Sequence, residues 1–255
     1  MTASSARLVP VLPDGISACL FDLDGVLTRT EKVHAAAWKE MFDAFLLERS
    51  TLVSEPFVPF DIATDYVQHV DGKLRQDGVR AFLTSRGIVL PEGVSSDPPS
   101  AQTVHGLGTR KNDLVLDLIR RRGVEVYESS VRFVEAARDA GLRRAVVSAS
   151  RNCRGVLIAA GIEHLFEARV DGVVASEAGL PGKPAPDTYL AAAAALETEP
   201  AHCAVFEDAV AGVAAGRAGA FGWVVGVDRA GQADALLNHG ADIVVRDLAE
   251  LLEEQ

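Results

Sequence analysis

Cysteine is scarce in this sequence. Cys19, Cys153 and Cys203 are the only three among 255 residues, far apart and with no CxxC pair. Such a set supports neither a disulfide framework nor a zinc site. Cys19 and Cys203 stand in apolar runs and read as buried strand residues. Basic charge is also short: 25 Lys and Arg face 36 Asp and Glu, a formal net charge of −11. That argues against the basic footprint of a nucleic-acid binder. An anionic phosphate could still bind, through a local cluster of positive charge or a bound metal. Long apolar runs are missing too. Even AAAAALE (191–197) is short and built of alanine, so no membrane span is expected. The opening MTASSARLVPVLPDG has one arginine, two prolines and no apolar core, unlike a signal peptide. The expected location is the cytoplasm. There is no internal repeat and no extended low-complexity segment.

What remains has the composition of a globular protein, 48% hydrophobic and 24% charged, at a length that suits one large domain or two moderate ones. Four short apolar runs read as buried parallel strands: ACLFDL (18–23), RAVVSAS (144–150), CAVFED (203–208) and GWVVGVD (222–228), with ADIVV (241–245) a fifth. Helical patterns separate them: VRFVEAARDAG (131–141), CRGVLIAAG (153–161), DTYLAAAAALE (187–197) and AVAGVAAGRAG (209–219). Strands alternating with helices predict a doubly wound, parallel-sheet α/β core of the Rossmann-like kind. Residues 31–122 break the alternation. EKVHAAAWKEMFDAFL places Val33, Ala37, Met41 and Phe45 at helical spacing. DGVRAFLTSRG and RKNDLVLDLIRRRG also read as helices, with a Pro/Ser loop, LPEGVSSDPPSAQ (90–102), between them. The expected organisation is a catalytic core of residues 1–30 and 123–255 with a helical cap, 31–122, inserted after the first main strand.

The stretch FDLDGVLT (21–28) ends an apolar run with two aspartates and a glycine. Carboxylates beside a buried strand are costly unless something pairs with them. Either the strand runs out into a polar turn, or the two acids are aimed at a cation and a reacting group. In an open parallel sheet, ligands sit at the carboxyl ends of the strands, and the other ends offer chemistry as well. RAVVSAS supplies Ser148, Ala149 and Ser150, followed by Arg151 and Asn152. GKPAPD (182–187) supplies Lys183. CAVFED supplies Glu207 and Asp208. If the strands are neighbours, up to four carboxylates converge with hydroxyls and one lysine. Clustered acids need a cation or a proton between them, and Mg²⁺ is the hard cation that oxygen ligands suit. Ser148 and backbone N–H groups could donate to a phosphate held there, with Lys183 adding charge.

These residues resemble the haloacid dehalogenase superfamily of phosphotransferases over nearly the whole chain. FDLDGVLT resembles its first motif, the Ser in VVSAS its second, Lys183 in GKPAPD its third and FEDAVAG (206–212) its fourth. The resemblance implies that Asp22 is a nucleophile forming an aspartyl-phosphate and that Asp24 is the general acid/base. It implies Mg²⁺ held by Asp22, the main-chain carbonyl of Asp24 and Asp208, with Glu207 close by. Within the superfamily the chain is most similar to the β-phosphoglucomutases, which carry SAS, a basic residue and Asn, then KPAPD, and an inserted helical cap. That likeness implies that Gly72 and Arg75, in VDGKLRQDG, contact the sugar's distal phosphate, joined by Lys111 and Asn112 of RKND. It places Thr30, His34 and Trp38 at the hinge and cap, and Ser148, Ala149, Ser150 and Asn152 around the substrate. Arg29 departs from the family, where many members have an acidic residue.

The implied reaction interconverts β-glucose 1-phosphate and glucose 6-phosphate through β-glucose 1,6-bisphosphate, which serves as both intermediate and activator. The expected partner is a small phosphorylated sugar, and the expected state a monomer. Two rivals stand beside it: a Mg²⁺-dependent sugar-phosphate phosphatase and a non-catalytic phosphosugar-binding regulator. Residue by residue there are plainer readings. Asp22 and Asp24 could cap a turn, Ser148 could be a helix N-cap, Lys183 surface charge, and Trp38 a helix packing residue. His69, His105, His164, His202 and His239 show no metal spacing and read as structural or exposed.

Overall fold

In the computed structural model, residues 8–254 are described. The chain runs β1 (Leu8–Pro10), β2 (Ala18–Phe21), α1 (Glu31–Val53), a π-helix (Ile62–Val70), α2 (Arg75–Ser85), α3 (Val104–Arg122) and α4 (Glu128–Asp139). It continues through β3 (Arg143–Val147), α5 (Cys153–Ala159), β4 (Ala168–Val170), α6 (Gly172–Glu177), α7 (Asp187–Ala195), β5 (Cys203–Glu207) and α8 (Val210–Ala218). It closes with β6 (Trp223–Val227), α9 (Ala233–Asn238), β7 (Ile243–Val245) and β8 (Leu252–Glu254). Two compact units result. One comprises the residues through Arg29 and from Glu125 onward; the other is Thr30–Val124.

The first unit is a six-stranded sheet in the order β4-β3-β2-β5-β6-β7, parallel throughout. From β2 the chain builds outward through β3 and β4, then returns to β5 on the other side and builds to β7. The order therefore reverses at β2, and the crevice at that point is where such sheets bind ligands. Register sharpens the placement. Phe21 lies opposite Val146 on β3 and Phe206 on β5, so the residues just past these three strand ends leave the sheet together.

The central strands are apolar on both faces because helices cover both. Ala18 and Leu20 share a buried cluster with Val147, Tyr189, Ala192, Val205 and Val213. On the opposite face Phe21 stacks on Phe206 with ring centroids 4.7 Å apart, and Phe133 of α4 meets both rings. Cys19 and Cys203 are buried strand residues, and burial pushes the Cys203 thiol up to about 11. Gly141, with φ of +80°, follows α4 and donates to Arg138 O, a left-handed exit that glycine makes without strain.

Both strands of the antiparallel pair β1–β8, together with β4, α6 and α9, lie outside the sequence-based reading. Each is only three to six residues long, too short to develop a hydrophobic period.

The second unit is helical. Trp38, Met41, Phe42, Phe45 and Leu46 line one face of α1 and bury against Phe60, Val70, Val79, Phe82 and Leu107. Phe42 stacks between Trp38 at 5.3 Å and Phe60 at 5.2 Å. The π-helix was not anticipated, and α2 and α3 begin at Arg75 and Val104, earlier than the apolar spacing indicated. Thr103 caps α3 by accepting from Gly106 N at 2.9 Å, and its hydroxyl donates to Asp97 of the Pro/Ser loop at 2.6 Å.

Candidate active site

The first unit gathers its chemistry at the ends of β2, β3 and β5. Asp22 follows β2 directly and is held by its own N–H donating to Phe206 O at 3.0 Å. Lys183 reaches it from the loop before α7. The Lys183 ammonium donates to Asp22 Oδ1 at 2.6 Å, to Val147 O at 3.2 Å and to Glu207 Oε1. All three of its N–H bonds therefore have acceptors. Glu207 ends β5 and is saturated in its turn. Its Oε1 also accepts from the Tyr189 hydroxyl at 2.9 Å, and its Oε2 accepts from Ala209 N at 3.1 Å.

The electrostatics follow from burial. Asp22, Lys183, Glu207 and Asp208 are all buried, and Glu207 is fully so. Burial pushes the Asp22 carboxyl well above the usual range; Lys183 opposes that, and the charges of Glu207 and Asp24 add to it. Burial pulls the Lys183 ammonium down, but Asp22 and Glu207 outweigh it and hold its pKa well above the usual lysine range. Burial first, then the Glu207 charge, keeps the Tyr189 hydroxyl protonated.

Asp22, Glu207 and Asp208 can each offer an oxygen within 4.8 Å of the others, the one such group among the described residues. Lys183 pairs with two of these three carboxylates, Asp22 and Glu207, and all the donors of the group are hard oxygens. A Mg²⁺ ion fits that set. The surrounding backbone is shaped around the carboxylates. A Cβ on Gly25, whose φ is +89°, would fall inside the Asp208 carboxylate, and one on Gly212 of α8 would fall inside that of Glu207. Asp24 lies outside the three-oxygen group, although its charge bears on Asp22.

Ser148, at the end of β3, is buried and donates its backbone N–H to Val170 O at 3.0 Å. Its hydroxyl oxygen accepts from Ser150 N at 3.1 Å, and Ser150 Oγ accepts from Asn152 N at 3.2 Å. The N-cap position of α5 belongs to Asn152, so the plainer alternative of Ser148 as that helix's cap does not apply. The loop through Ala149 is pressed against Gly172, where a Cβ would meet Ala149 O.

In the second unit, Arg75 opens α2 and donates from Nη2 to Asn112 Oδ1 of α3 at 2.8 Å. Lys111 is buried, with Nζ 2.9 Å from His34 Nδ1 and 4.8 Å above the Trp38 ring. Trp38 is part of that unit's core. Thr30 is the N-cap residue of α1 and accepts from His34 N at 2.9 Å through its carbonyl. Gly72 takes a φ of +70° in the turn before α2.

Several contributors were not singled out in the sequence. Tyr189 sits at the head of the alanine-rich α7. The β6–α9 loop supplies Arg229, whose Nε donates to Gly25 O at 2.8 Å, and Gln232, whose Nε2 donates to Asp208 O at 2.8 Å. One loop thus ties the backbones on both sides of the carboxylate group. Arg229 and Arg29 also flank the Tyr127 ring, at 3.7 and 4.3 Å from its centroid. That gives Arg29 its partner. The glycine of FEDAVAG was the legible clue to a close approach; nothing local marks the Tyr189 hydroxyl or the Arg229 loop.

Residues 16–219 match the haloacid dehalogenase-like hydrolase family. The chain is 55% identical over 244 residues to the β-phosphoglucomutase of Mycobacterium tuberculosis, covering 94% of this chain and 93% of that one. It is 31% identical over 241 residues to the β-phosphoglucomutase of Bacillus subtilis, with 94% and 93% covered. Among solved structures, β-phosphoglucomutase from Clostridium difficile superposes with a TM-score of 0.69 at 24% identity, covering 92% of this chain and 93% of the other.

Proposed function

The chain belongs to the haloacid dehalogenase-like hydrolases, and on that premise we propose that it is a β-phosphoglucomutase, interconverting β-D-glucose 1-phosphate and glucose 6-phosphate. The observation that carries the chemistry is the buried Asp22–Lys183–Glu207 chain, with Asp208 adjoining. It presents a carboxylate with a fixed cation beside it, at the point of the sheet where a phosphate would enter.

In the proposed cycle a carboxylate oxygen of Asp22 attacks phosphorus. The bond from phosphorus to the sugar oxygen breaks, and Asp24 gives that oxygen a proton. In the return step a sugar hydroxyl attacks the aspartyl-phosphate, Asp24 takes the hydroxyl proton, and Asp22 is released. When the attacking hydroxyl belongs to β-glucose 1-phosphate, the return step forms β-glucose 1,6-bisphosphate; the bisphosphate turns end for end, and attack of Asp22 on its other phosphate releases glucose 6-phosphate and restores the aspartyl-phosphate, so the bisphosphate also primes the enzyme. Lys183 holds Asp22 in one orientation and offsets charge on the phosphoryl oxygens. Ser148 and the backbone at Ala149 and Ser150 orient the phosphate, with Asn152 behind them. Asp22, Asp208 and the Asp24 carbonyl would hold Mg²⁺, with Glu207 beside them; the ion supplies further neutralisation of phosphoryl charge. Arg75 and Lys111, with Gly72 and Asn112, are proposed to bind the phosphate that is not being transferred, and Thr30, His34 and Trp38 to support them. The reading includes the monomeric, cytoplasmic state expected from sequence.

The test uses purified protein, Mg²⁺, β-glucose 1-phosphate and a trace of β-glucose 1,6-bisphosphate, with glucose 6-phosphate and free phosphate followed together. Glucose 6-phosphate with little free phosphate is expected. Free phosphate as the main product would replace the mutase with a phosphatase.

A further inference from the structure

We infer that Tyr189 is a positioning residue of this site, acting through Glu207 to hold Lys183 against Asp22. The inference rests on the phosphotransferase reading above and adds a residue to it. Helix α7 reads DTYLAAAAA, and its third residue is the one large side chain that carries a polar atom into the sheet. Tyr189 is fully buried. Its ring packs edge-on to Phe221 at 5.9 Å and lies under the Lys183 ammonium, 4.9 Å from Nζ. Its hydroxyl donates to Glu207 Oε1 at 2.9 Å.

Packing alone asks only for the ring. The hydroxyl adds a second donor to the oxygen that already accepts from Lys183. Oε1 is therefore fixed from two sides, Oε2 is fixed by Ala209 N, and Gly212 leaves the carboxylate its only room. Without the hydroxyl, Oε1 accepts from the lysine alone, and the carboxylate, still pinned at Oε2, is free to tilt about that contact. Lys183 then loses a fixed anchor, and its charge shifts toward Asp22, where it competes with a cation. Groups that orient a metal site from one bond away commonly matter about 10–100-fold in affinity or activity.

Tyr189→Phe keeps the ring, the Phe221 contact and the face under Lys183, and removes one oxygen. In this variant we expect kcat to fall about tenfold, with KM for the sugar phosphate within about twofold. The Mg²⁺ dissociation constant, measured by calorimetry with no sugar present, should rise about tenfold. In a Glu207→Gln background the same change should weaken Mg²⁺ by less than about twofold, because the hydroxyl acts through that carboxylate. A residue that serves only packing would lower the melting temperature and leave Mg²⁺ binding and kcat near wild type; that result overturns the inference, as does full additivity with Glu207→Gln.

A second measurement does not depend on the variant folding. The chain has three tyrosines, so wild-type protein labelled with 3-fluorotyrosine gives a countable ¹⁹F spectrum, assigned with Tyr66→Phe and Tyr127→Phe. The Tyr189 resonance is expected to move as Mg²⁺ is added, and a stationary resonance overturns the inference. The binding and ¹⁹F measurements use no sugar, so they stand apart from the mutase assay. Absence of turnover with intact Mg²⁺ effects would reject the substrate and keep Tyr189.

Discussion

Asp22 and Lys183 define each other. The lysine makes three hydrogen bonds, two of them to carboxylates, in a buried site. Asp22→Asn keeps the shape and removes the nucleophile, so turnover should drop by at least about a thousandfold. Single-turnover assays with β-glucose 1,6-bisphosphate would read it, and residual turnover near wild type would remove Asp22 from the mechanism. Lys183→Ala removes the cation that pairs with both Asp22 and Glu207 and should cost about 3–5 kcal/mol of stability, the usual penalty for leaving buried charge unpaired. Added Mg²⁺ should recover part of it, which urea melts with and without the ion would show. Gly212→Ala separates two effects. In an open helix the change gains up to about 1 kcal/mol. Here the new Cβ falls inside the Glu207 carboxylate, so both melting temperature and kcat should fall. A stabilised, fully active variant would mean that Glu207 has other room.

At the scale of the element, the β6–α9 loop binds two others through their backbones. Arg229 fixes Gly25 O and Gln232 fixes Asp208 O. Gln232→Ala should weaken Mg²⁺ about tenfold or more while leaving the sheet intact, as loss of a supporting hydrogen bond does. Calorimetry checks the first point and far-UV circular dichroism the second. Elements also show what a sequence can disclose. The runs 18–23, 203–208 and 222–228 contain β2, β5 and β6, and 144–150 covers all but the first residue of β3, because strands buried on both faces need unbroken apolar residues. Asp22, Glu207 and Asp208, which lie at the ends of such runs, do lie together with Lys183 of the GKPAPD loop. Sheet order was not legible. It is set by which edges pair, and all the central runs look alike. Tyr189 was hidden for a similar reason: its partner lies 18 residues away, and its neighbours in the chain are alanines that speak only of packing. At Ser148 the plainer alternative fails. A serine before a helix suits a cap, but the turn is four residues long and Asn152 takes that position.

Over the whole molecule, the site links stability to pH and metal. Asp22 holds its proton more tightly folded than unfolded, where its value is near 3.8. In metal-free protein the stability this adds is fully present below the unfolded value and is lost as pH rises through the folded one. Mg²⁺ competes with that proton. The rise in melting temperature on adding Mg²⁺ should therefore grow as pH rises out of the acid range, against a metal-free baseline in EDTA. A Mg²⁺ effect of equal size at every pH would show that Asp22 is not the group displaced. The same competition predicts that turnover falls in acid.

The β1–β8 ribbon has a mechanical meaning. Leu8 faces Glu254 across that antiparallel pair, and Pro10 faces Leu252, so Leu8 and Glu254 share one end of the ladder. A force applied between them peels the ribbon open one residue pair at a time, like a zipper pulled from its open end, instead of shearing its bonds together. The ribbon would yield before tension reached the central strands that carry Asp22 and Glu207.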